Sequence, residues 1–529
     1  MTTARWSLLV LAVCAGSGFA LASDVRAATP PNIVLVIGDD HAWTDAGFMG
    51  HPQVRTPTLD ALAAGGTVFT NVQLPASTCR PSLQTLLSGL HPTQWRAKKS
   101  AIEADSAMKA VIPTREEVVH YRTLPRELAR RGYRSWQGGK MWEGSFAQAG
   151  FDAGSAPPGP FGPYQPSAPL GRENWDPERC GATRTRPDPC PALADLGRFL
   201  DGVGDAPFFL WFAPMLPHAP FDPPQEFTAL YTGLGLDRDH VLYYAQVTRL
   251  DAVIAELLRE LETRDLRRET LVIYVSDNGW QVGQGRFVRR GHGKATLHEL
   301  GTRTPVIFHW PGHVPPGVRL DALVSSEALF PTILDYAGAR QLPDRRGASL
   351  KPAIESGRLP GLDRYVSYYK SVAPANTGWF VRTPDWRYTS AIDGSESLYR
   401  IREDPLEATD VAADNPALLA RFREDVRVWR AGIAEAPPRL DVSGVLRDAQ
   451  GTPIPGVGLI LVRAGGRFET RTDTRGAFVF QDLPHGKYRL EPGVGLARLT
   501  GDVRVELPVG PAGAHLPNVV GERIRVGNP

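Results

Sequence analysis

Two acidic pairs and one cysteine are the residues whose types and placement could do chemistry. Asp39-Asp40 and Asp277-Asn278 each follow an apolar, largely β-branched run, residues 32–37 in the first case and 271–275 in the second. Carboxylate and amide oxygens are hard ligands, and with no soft donor beside them they favour Ca²⁺ or Mg²⁺ over zinc or copper. An acidic residue after a strand is ordinarily a turn former or a helix cap. Two such pairs at equivalent strand ends argue instead for one shared cation. Cys79 opens the stretch Thr78-Cys79-Arg80-Pro81-Ser82-Leu83-Gln84. Pro81 suits a first helical turn, and the unpaired N–H groups of a helix start favour a nearby anion.

These residues need a scaffold that brings distant stretches together. The runs 32–37, 208–212, 271–275 and 306–308 are continuously apolar, which suits strands covered on both faces. Helical stretches alternate with them at 58–64, 124–131 and 243–264. In the last, Val247, Leu250, Ile254, Leu257, Leu258 and Leu261 keep helical spacing. The alternation predicts an α/β fold, a mainly parallel sheet covered by helices on both faces. In such sheets the ligand site lies past the carboxyl ends of the strands, where both acidic pairs fall. From about Asp363 the pattern changes to short strands at 379–382 and 386–388 and a helix at 416–432, which reads as a small α+β subdomain over 363–436. After the linker Ala436-Pro437-Pro438, short strands at 442–445, 457–462, 468–470, 477–480 and 488–490 predict an appended all-β sandwich over 439–529. Residues 150–190, rich in Pro and Gly, read as a long irregular excursion.

Composition narrows the class further. Of 529 residues 42% are hydrophobic and 22% charged, which excludes a disordered, collagenous or coiled-coil chain. The 59 Lys and Arg against 57 Asp and Glu leave a net charge of +2, so bulk charge calls for neither nucleic acid nor an anionic membrane. Arg5, the small apolar run 7–22 and the small-x-small sites Ala20-Leu21-Ala22 and Val25-Arg26-Ala27 give residues 1–28 the layout of a signal peptide. Its apolar part is too short to span a bilayer. The expectation is an exported protein, periplasmic or extracellular, with no membrane span. Cys14 lies in this leader. Cys180 and Cys190, among Pro, Gly and Arg, read as a loop-stapling disulfide in preference to a metal pair. Cys79 is left over, either buried and inert or chemically employed.

Several further motifs stand in collinear order: Pro31-Asn32-Ile33-Val34 through Asp40; Arg55-Thr56-Pro57-Thr58-Leu59-Asp60; the Cys79 stretch through Ser88-Gly89; Gly138-Gly139-Lys140; Pro217-His218-Ala219-Pro220-Phe221; Ser276-Asp277-Asn278-Gly279; Gly291-His292-Gly293-Lys294-Ala295-Thr296 with Glu299, Arg303 and Pro305; and Trp310-Pro311-Gly312-His313. Over residues 31–433 this set resembles the type I, formylglycine-dependent and arylsulfatase-like sulfatases of the alkaline phosphatase superfamily. Their signature is Cys-x-Pro-Ser-Arg followed by Thr-Gly or Ser-Gly. The tail, with Gly444, 473–478 and 484–488, resembles the carboxypeptidase regulatory-like module.

The resemblance implies an alkaline-phosphatase-like core at 29–362 within a sulfatase domain at 29–436, and a sulfuric ester hydrolase acting on a small-molecule or glycan sulfate ester. In that family a maturation enzyme converts the motif cysteine to formylglycine, whose hydrate supplies the nucleophile and one calcium ligand. Carried over, Cys79 is that residue, and Asp39, Asp40, Asp277 and Asn278 complete the metal set. Lys140, His218 and Lys294 surround the sulfate and leaving-group oxygens, with His218 the group that protonates the departing alcohol. Two positions depart from the pattern. Leu83 occupies the place of the signature arginine, which supports the formylglycine and is read by the formylglycine-generating enzyme, and Trp142 replaces the histidine of Gly-Lys-Trp-His. Arg80 either supplies replacement charge as a substrate-binding residue or faces solvent. Two alternatives share the same frame. One is a phosphoester or phosphonate monoester hydrolase; the other is a non-catalytic pseudo-sulfatase that keeps the cation and binds a sulfated glycan.

Overall fold

A computed structural model describes residues 30–97, 117–154, 175–181, 184–283, 291–358 and 361–435, and, further on, 440–463, 466–483, 486–493, 496–500, 504–507 and 514–523. The signal peptide expected at 1–28 and the linker 436–438 lie outside the described residues.

The site is positioned by a nine-stranded sheet. At its centre β1 (Asn32–Gly38) pairs in parallel with β5 (Phe208–Ala213) on one side and β6 (Thr270–Ser276) on the other. Beyond β5 the parallel array continues through β3 (Arg134–Gly139) to β4 (Ala153–Gly154). Beyond β6 comes β7 (Arg303–His309), which runs antiparallel to it, and then β2 (Thr67–Gln73), antiparallel to β7. The short β8 (Val318–Leu320) and β9 (Val324–Ser325) pair in parallel with β2. The buried run 306–308 is thus a core strand as expected, but in the opposite sense. A helical turn, Glu299–Thr302, leads directly into β7 at the sheet end where β6 stops, and a chain entering there with no crossover can only run back.

Alternate residues of β1 divide the interior into two layers, as a period of two requires. Ile33, Leu35 and Ile37 pack with Leu83, Leu86 and Leu87 of α2 (Cys79–Ser88), with Leu124 and Leu128 of α3 (Leu124–Ala129), and with Phe330 and Ile333 of α6 (Leu329–Tyr336). Val34 and Val36 pack with Leu59 and Leu62 of α1 (Pro57–Ala64), Leu196 and Leu200 of α4 (Ala194–Gly202), and Leu250, Ile254, Leu257 and Leu261 of α5 (Arg238–Glu262). Enclosure on both faces is why β1 and β6 are apolar between their end residues. The helix α5 starts five residues before the expected stretch 243–264, because its first turn is polar and is capped by Asp237, whose side chain accepts from the His240 N–H.

Cys180 and Cys190 form a disulfide. A second sheet, antiparallel throughout, comprises β10 (Tyr365–Tyr369), β11 (Gly378–Arg382), β12 (Arg387–Ala391) and β13 (Glu396–Tyr399). Phe422 and Val426 of α7 (Pro416–Glu435) pack on Val366, Val381, Tyr388 and Leu398 of this sheet. Arg387 fastens it to the core. It is fully enclosed and donates to Gln73 Oε1 (2.9 Å), Glu299 Oε2 (3.2 Å) and Thr302 Oγ1 (2.8 Å). In the C-terminal region two four-stranded sheets face each other. One orders Ala477–Leu483, Leu440–Arg447, Ala514–Arg523 and Leu496–Leu499; the other orders Gly466–Arg471, Gly458–Arg463, Gly486–Pro492 and Arg504–Leu507. Leu446, Leu459, Leu461, Phe478, Phe480 and Tyr488 form the core between them. Among the described residues no helix is long and apolar enough to cross a membrane.

Candidate active site

The carboxyl ends of β1, β3 and β6 and the start of α2 meet at one place. Directly after β1, Asp40 has φ 64°, the left-handed region that Asp tolerates better than most residues. The turn is held by Tyr243 of α5, whose hydroxyl donates to Asp40 O at 2.9 Å and accepts from Ala42 N at 3.1 Å. After β6, the Asp277 N–H donates to Gly38 O at 2.9 Å, which registers the second acidic pair beside the first. The Asp40 N–H lies 3.3 Å from Asp277 Oδ1, and Asn278 Nδ2 donates to Asp40 Oδ1 at 2.6 Å.

Cys79 is the first residue of α2 and is buried. Its Sγ lies 3.4 Å from Asp39 Oδ1 and 3.1 Å from Lys294 Nζ. Lys140, directly after β3, donates from Nζ to Asp39 Oδ2 at 2.6 Å. Lys294 Nζ also lies 2.6 Å from Asp40 Oδ1. His218 Nε2 is 3.6 Å from Asp40 Oδ2, while its Nδ1 is bonded to Ala219 O at 2.6 Å. The structure therefore brings together Asp39, Asp40, Cys79, Lys140, His218, Asp277, Asn278 and Lys294 from six separate stretches of chain.

Charge in this enclosed space is balanced unevenly. Burial opposes ionisation of Asp39, yet Lys140, His218 and Lys294 hold its carboxyl below the usual range. For Asp277, burial and the neighbouring Asp39 act together and push its pKa well above the usual value. Burial, with Asp277, also pushes the Cys79 thiol well up. Burial alone would lower both lysines, but Asp39 for Lys140 and Asp40 for Lys294 raise them above the ordinary ammonium value.

The same space fits a hard dication. Asp277 Oδ2 and Asn278 Oδ1 are buried without a hydrogen-bond partner among the described residues, and two orphaned oxygens in one site are costly unless something outside the chain satisfies them. Donor atoms of Asp39, Asp40, Cys79 and His218 lie within 4.8 Å of one another. Apart from the Cys79 sulfur and the His218 nitrogen, every donor is a hard oxygen, the ligand type of Ca²⁺ and Mg²⁺. A second group, His292, His298 and Glu407, is different. Its imidazoles stack face to face at 3.8 Å, so their lone pairs lie in parallel planes, and Arg387 Nε stands 3.9 Å from Glu407 Oε1.

Arg80 is about a third exposed, with its guanidinium bonded to Glu143 through Nε (2.6 Å) and Nη2 (3.2 Å). Leu83 packs into the apolar layer beneath α2. The Trp142 ring lies 5.2 Å from Lys140 Nζ, in cation–π range. Sequence reasoning missed Tyr243, which carried only a helical-periodicity signal, and Tyr369, whose buried hydroxyl interacts with Ser77, Thr78 and Ser371. It also missed Glu143, although an acidic residue directly after Lys140-Met141-Trp142 was a signal in plain view.

Comparison with known proteins bears on this arrangement. The family model described as Sulfatase matches residues 31–339, the model for the C-terminal part of N-sulphoglucosamine sulphohydrolase matches 290–425, and the carboxypeptidase regulatory-like domain matches 441–508. Arylsulfatase A of Bos taurus is 32% identical over 449 residues, covering 77% of this chain and 84% of that protein. N-acetylgalactosamine-6-sulfatase of Homo sapiens is 32% identical over 375 residues, covering 64% and 68%. Among solved structures, Ps i-CgsB in complex with k-i-k-neocarrahexaose has a TM-score of 0.59 at 23% identity, covering 76% of this chain and 93% of that one. The phosphonate monoester hydrolase of Agrobacterium radiobacter has a TM-score of 0.56 at 19% identity, covering 76% and 96%. Those two likenesses show the fold, an alkaline-phosphatase-like α/β sheet. The chain belongs to the sulfatase family. It is a sulfuric ester hydrolase.

Proposed function

We propose that this protein is an exported, formylglycine-dependent sulfatase that cleaves the sulfate ester of a glycan or other alcohol at a Ca²⁺ centre. The observation that carries the proposal is the seating of Cys79 Sγ between Asp39 and Lys294, taken together with the buried oxygens of Asp277 and Asn278 that have no partner among the described residues. Asp39, Asp40, Asp277 and Asn278, with residue 79 itself, would hold the cation; Mg²⁺ suits the same oxygens. The cation supplies polarisation of a sulfate oxygen. Oxidation of Cys79 by a formylglycine-generating enzyme supplies an oxygen nucleophile at the same position.

The chain's own groups do the rest. Lys140 and Lys294, kept charged by Asp39 and Asp40, stabilise negative charge on the transferring group. The Nδ1 of His218 is committed to Ala219 O, so Nε2 is the atom that exchanges a proton with the departing oxygen. Arg80 borders the centre with Nε and Nη2 bonded to Glu143, so it bears on the site through that contact. The Cys180–Cys190 disulfide supports an oxidising compartment, periplasmic or extracellular. The glycan substrate class is supported by the relative named N-acetylgalactosamine-6-sulfatase.

The test is turnover of an aryl sulfate and an aryl phosphate by protein produced together with a formylglycine-generating enzyme, with Cys79→Ala as the control. Sulfate turnover that Cys79→Ala abolishes is expected. Turnover of the phosphate alone would make the protein a phosphoester or phosphonate ester hydrolase. Binding of a sulfated glycan with no turnover would make it a pseudo-sulfatase.

A further inference from the structure

Glu143 has no part in the chemistry above, yet it is entirely enclosed beside it. Its Oε1 accepts from Arg80 Nε at 2.6 Å and from Gln84 Nε2 at 2.8 Å, and its Oε2 accepts from Arg80 Nη2 at 3.2 Å. Arg80 and Gln84 lie on the first two turns of α2, the helix that Cys79 opens. Glu143 lies three residues after Lys140. The segment bearing Lys140 and the helix start bearing Cys79 are therefore joined twice. The first joint is Asp39, whose oxygens contact Cys79 Sγ at 3.4 Å and Lys140 Nζ at 2.6 Å. The second is Glu143. One joint leaves a hinge, whereas two define a separation.

The Lys140 segment has particular need of the second joint. Gly139, Trp142 and Gly144 all have positive φ, at 79°, 78° and 62°. Glycine accepts this freely, but for a residue as bulky as Trp142 it is an outlier that persists only where the surroundings over-determine it. Glu143 sits between Trp142 and Gly144. A two-pronged guanidinium–carboxylate contact is the most directional ion pair available to a protein. An enclosed carboxylate is also too costly to leave without its cation, so the contact resists opening.

We propose that Glu143 is a positioning residue: by gripping Arg80 and Gln84 it sets the separation of Lys140 and Cys79 across Asp39. Its effect on turnover rests on the sulfatase reading; its effect on the geometry of Cys79 does not. Two measurements on the full chain separate them. With matured protein and an aryl sulfate, Glu143→Gln lowers kcat by about tenfold or more with KM changed less than about threefold, since misplacement near 1 Å can cost on the order of 10²-fold in rate. Arg80→Gln lowers kcat similarly, and the double variant is no worse than either single one, because both remove the same joint. With protein made without the maturation enzyme, alkylation of Cys79 by iodoacetamide, followed on its own peptide by mass spectrometry, is several-fold faster in Glu143→Gln than in the wild type.

Glu143→Asp keeps the charge with a shorter reach; it serves if the Gln variant does not fold, and it is expected to show a smaller loss of kcat and a smaller gain in alkylation. Three results overturn the proposal: a lower melting temperature with kcat per folded molecule and alkylation both unchanged, losses for Arg80→Gln and Glu143→Gln that multiply, or an Asp variant indistinguishable from wild type in both assays. If the wild type turns over no sulfate ester, the functional reading fails by itself, and the alkylation rates still decide the role of Glu143.

Discussion

Asp277→Asn probes the centre most informatively because its two expected effects have opposite signs. In the ion-free protein, burial and Asp39 push the Asp277 carboxyl well above its usual pKa. The folded state then binds a proton more tightly than the unfolded one. The stabilisation this gives is complete below the unfolded carboxyl pKa and is lost as pH rises through the raised folded value. At neutral pH and in chelator, Asp277→Asn is therefore expected to melt higher than the wild type, since the amide ionises in neither state. A dication reverses this by satisfying the orphaned Oδ2. Calcium at a hundred times its Kd adds about 3 kcal/mol to the folded state. With roughly 400 residues unfolding at about 2 cal/mol/K each, that is a rise of about 3 °C in Tm. The variant, with one charged ligand fewer, should show little of that rise at the same concentration. Differential scanning fluorimetry in chelator and across a Ca²⁺ and Mg²⁺ series makes the comparison. A wild type that gains nothing from either ion, or a variant that gains as much as the wild type, would refute the reasoning.

Other outcomes follow from the same geometry. His218→Gln is expected to lower kcat by about 10²-fold or more on sulfate esters of poorly acidic alcohols, with a smaller loss on activated aryl sulfates that leave without a proton; a leaving-group series measures this. Asp251, whose oxygens accept the Thr58 and Leu59 N–H groups at the start of α1 (2.9 and 2.8 Å), is raised by burial to about 6. Its contribution to stability is thus complete below about pH 4 and lost between about pH 4 and 6. Asp251→Asn, whose amide nitrogen cannot accept from one of these two N–H groups, starts less stable than the wild type at pH 4, and the difference then moves in its favour by up to about 3 kcal/mol by pH 7, read from denaturant midpoints at each pH. A chain ending after residue 435 should keep kcat within about twofold on an aryl sulfate, because the C-terminal sheets enclose a core of their own.

The parts of the molecule that were legible in the sequence are those where burial dictates residue type. Strands β1, β5 and β6 are apolar on both faces because helices cover both, and the acidic pairs stand out because they interrupt those runs. The direction of β7 was not legible, since enclosure selects the same side chains in either sense. The lysines were visible only through resemblance: Lys140 and Lys294 are 154 residues apart in sequence, and a lone lysine has no spacing to betray it. The Arg80–Glu143 pair spans 63 positions and two elements, so only the fold reveals that the cation beside Cys79 is already engaged. Leu83 is explained by packing, because it faces the apolar layer under α2.

The proposed function stands on residue 79, held against Asp39 and Lys294, becoming the nucleophile of a sulfate ester hydrolase. Mass spectrometry of the residue-79 peptide, taken from preparations of graded specific activity, tests it most directly. Activity is expected to rise in proportion to the fraction of peptide carrying an aldehyde or its hydrate and to extrapolate to zero at none. Full activity toward a sulfate ester in protein whose Cys79 is an intact thiol would contradict it.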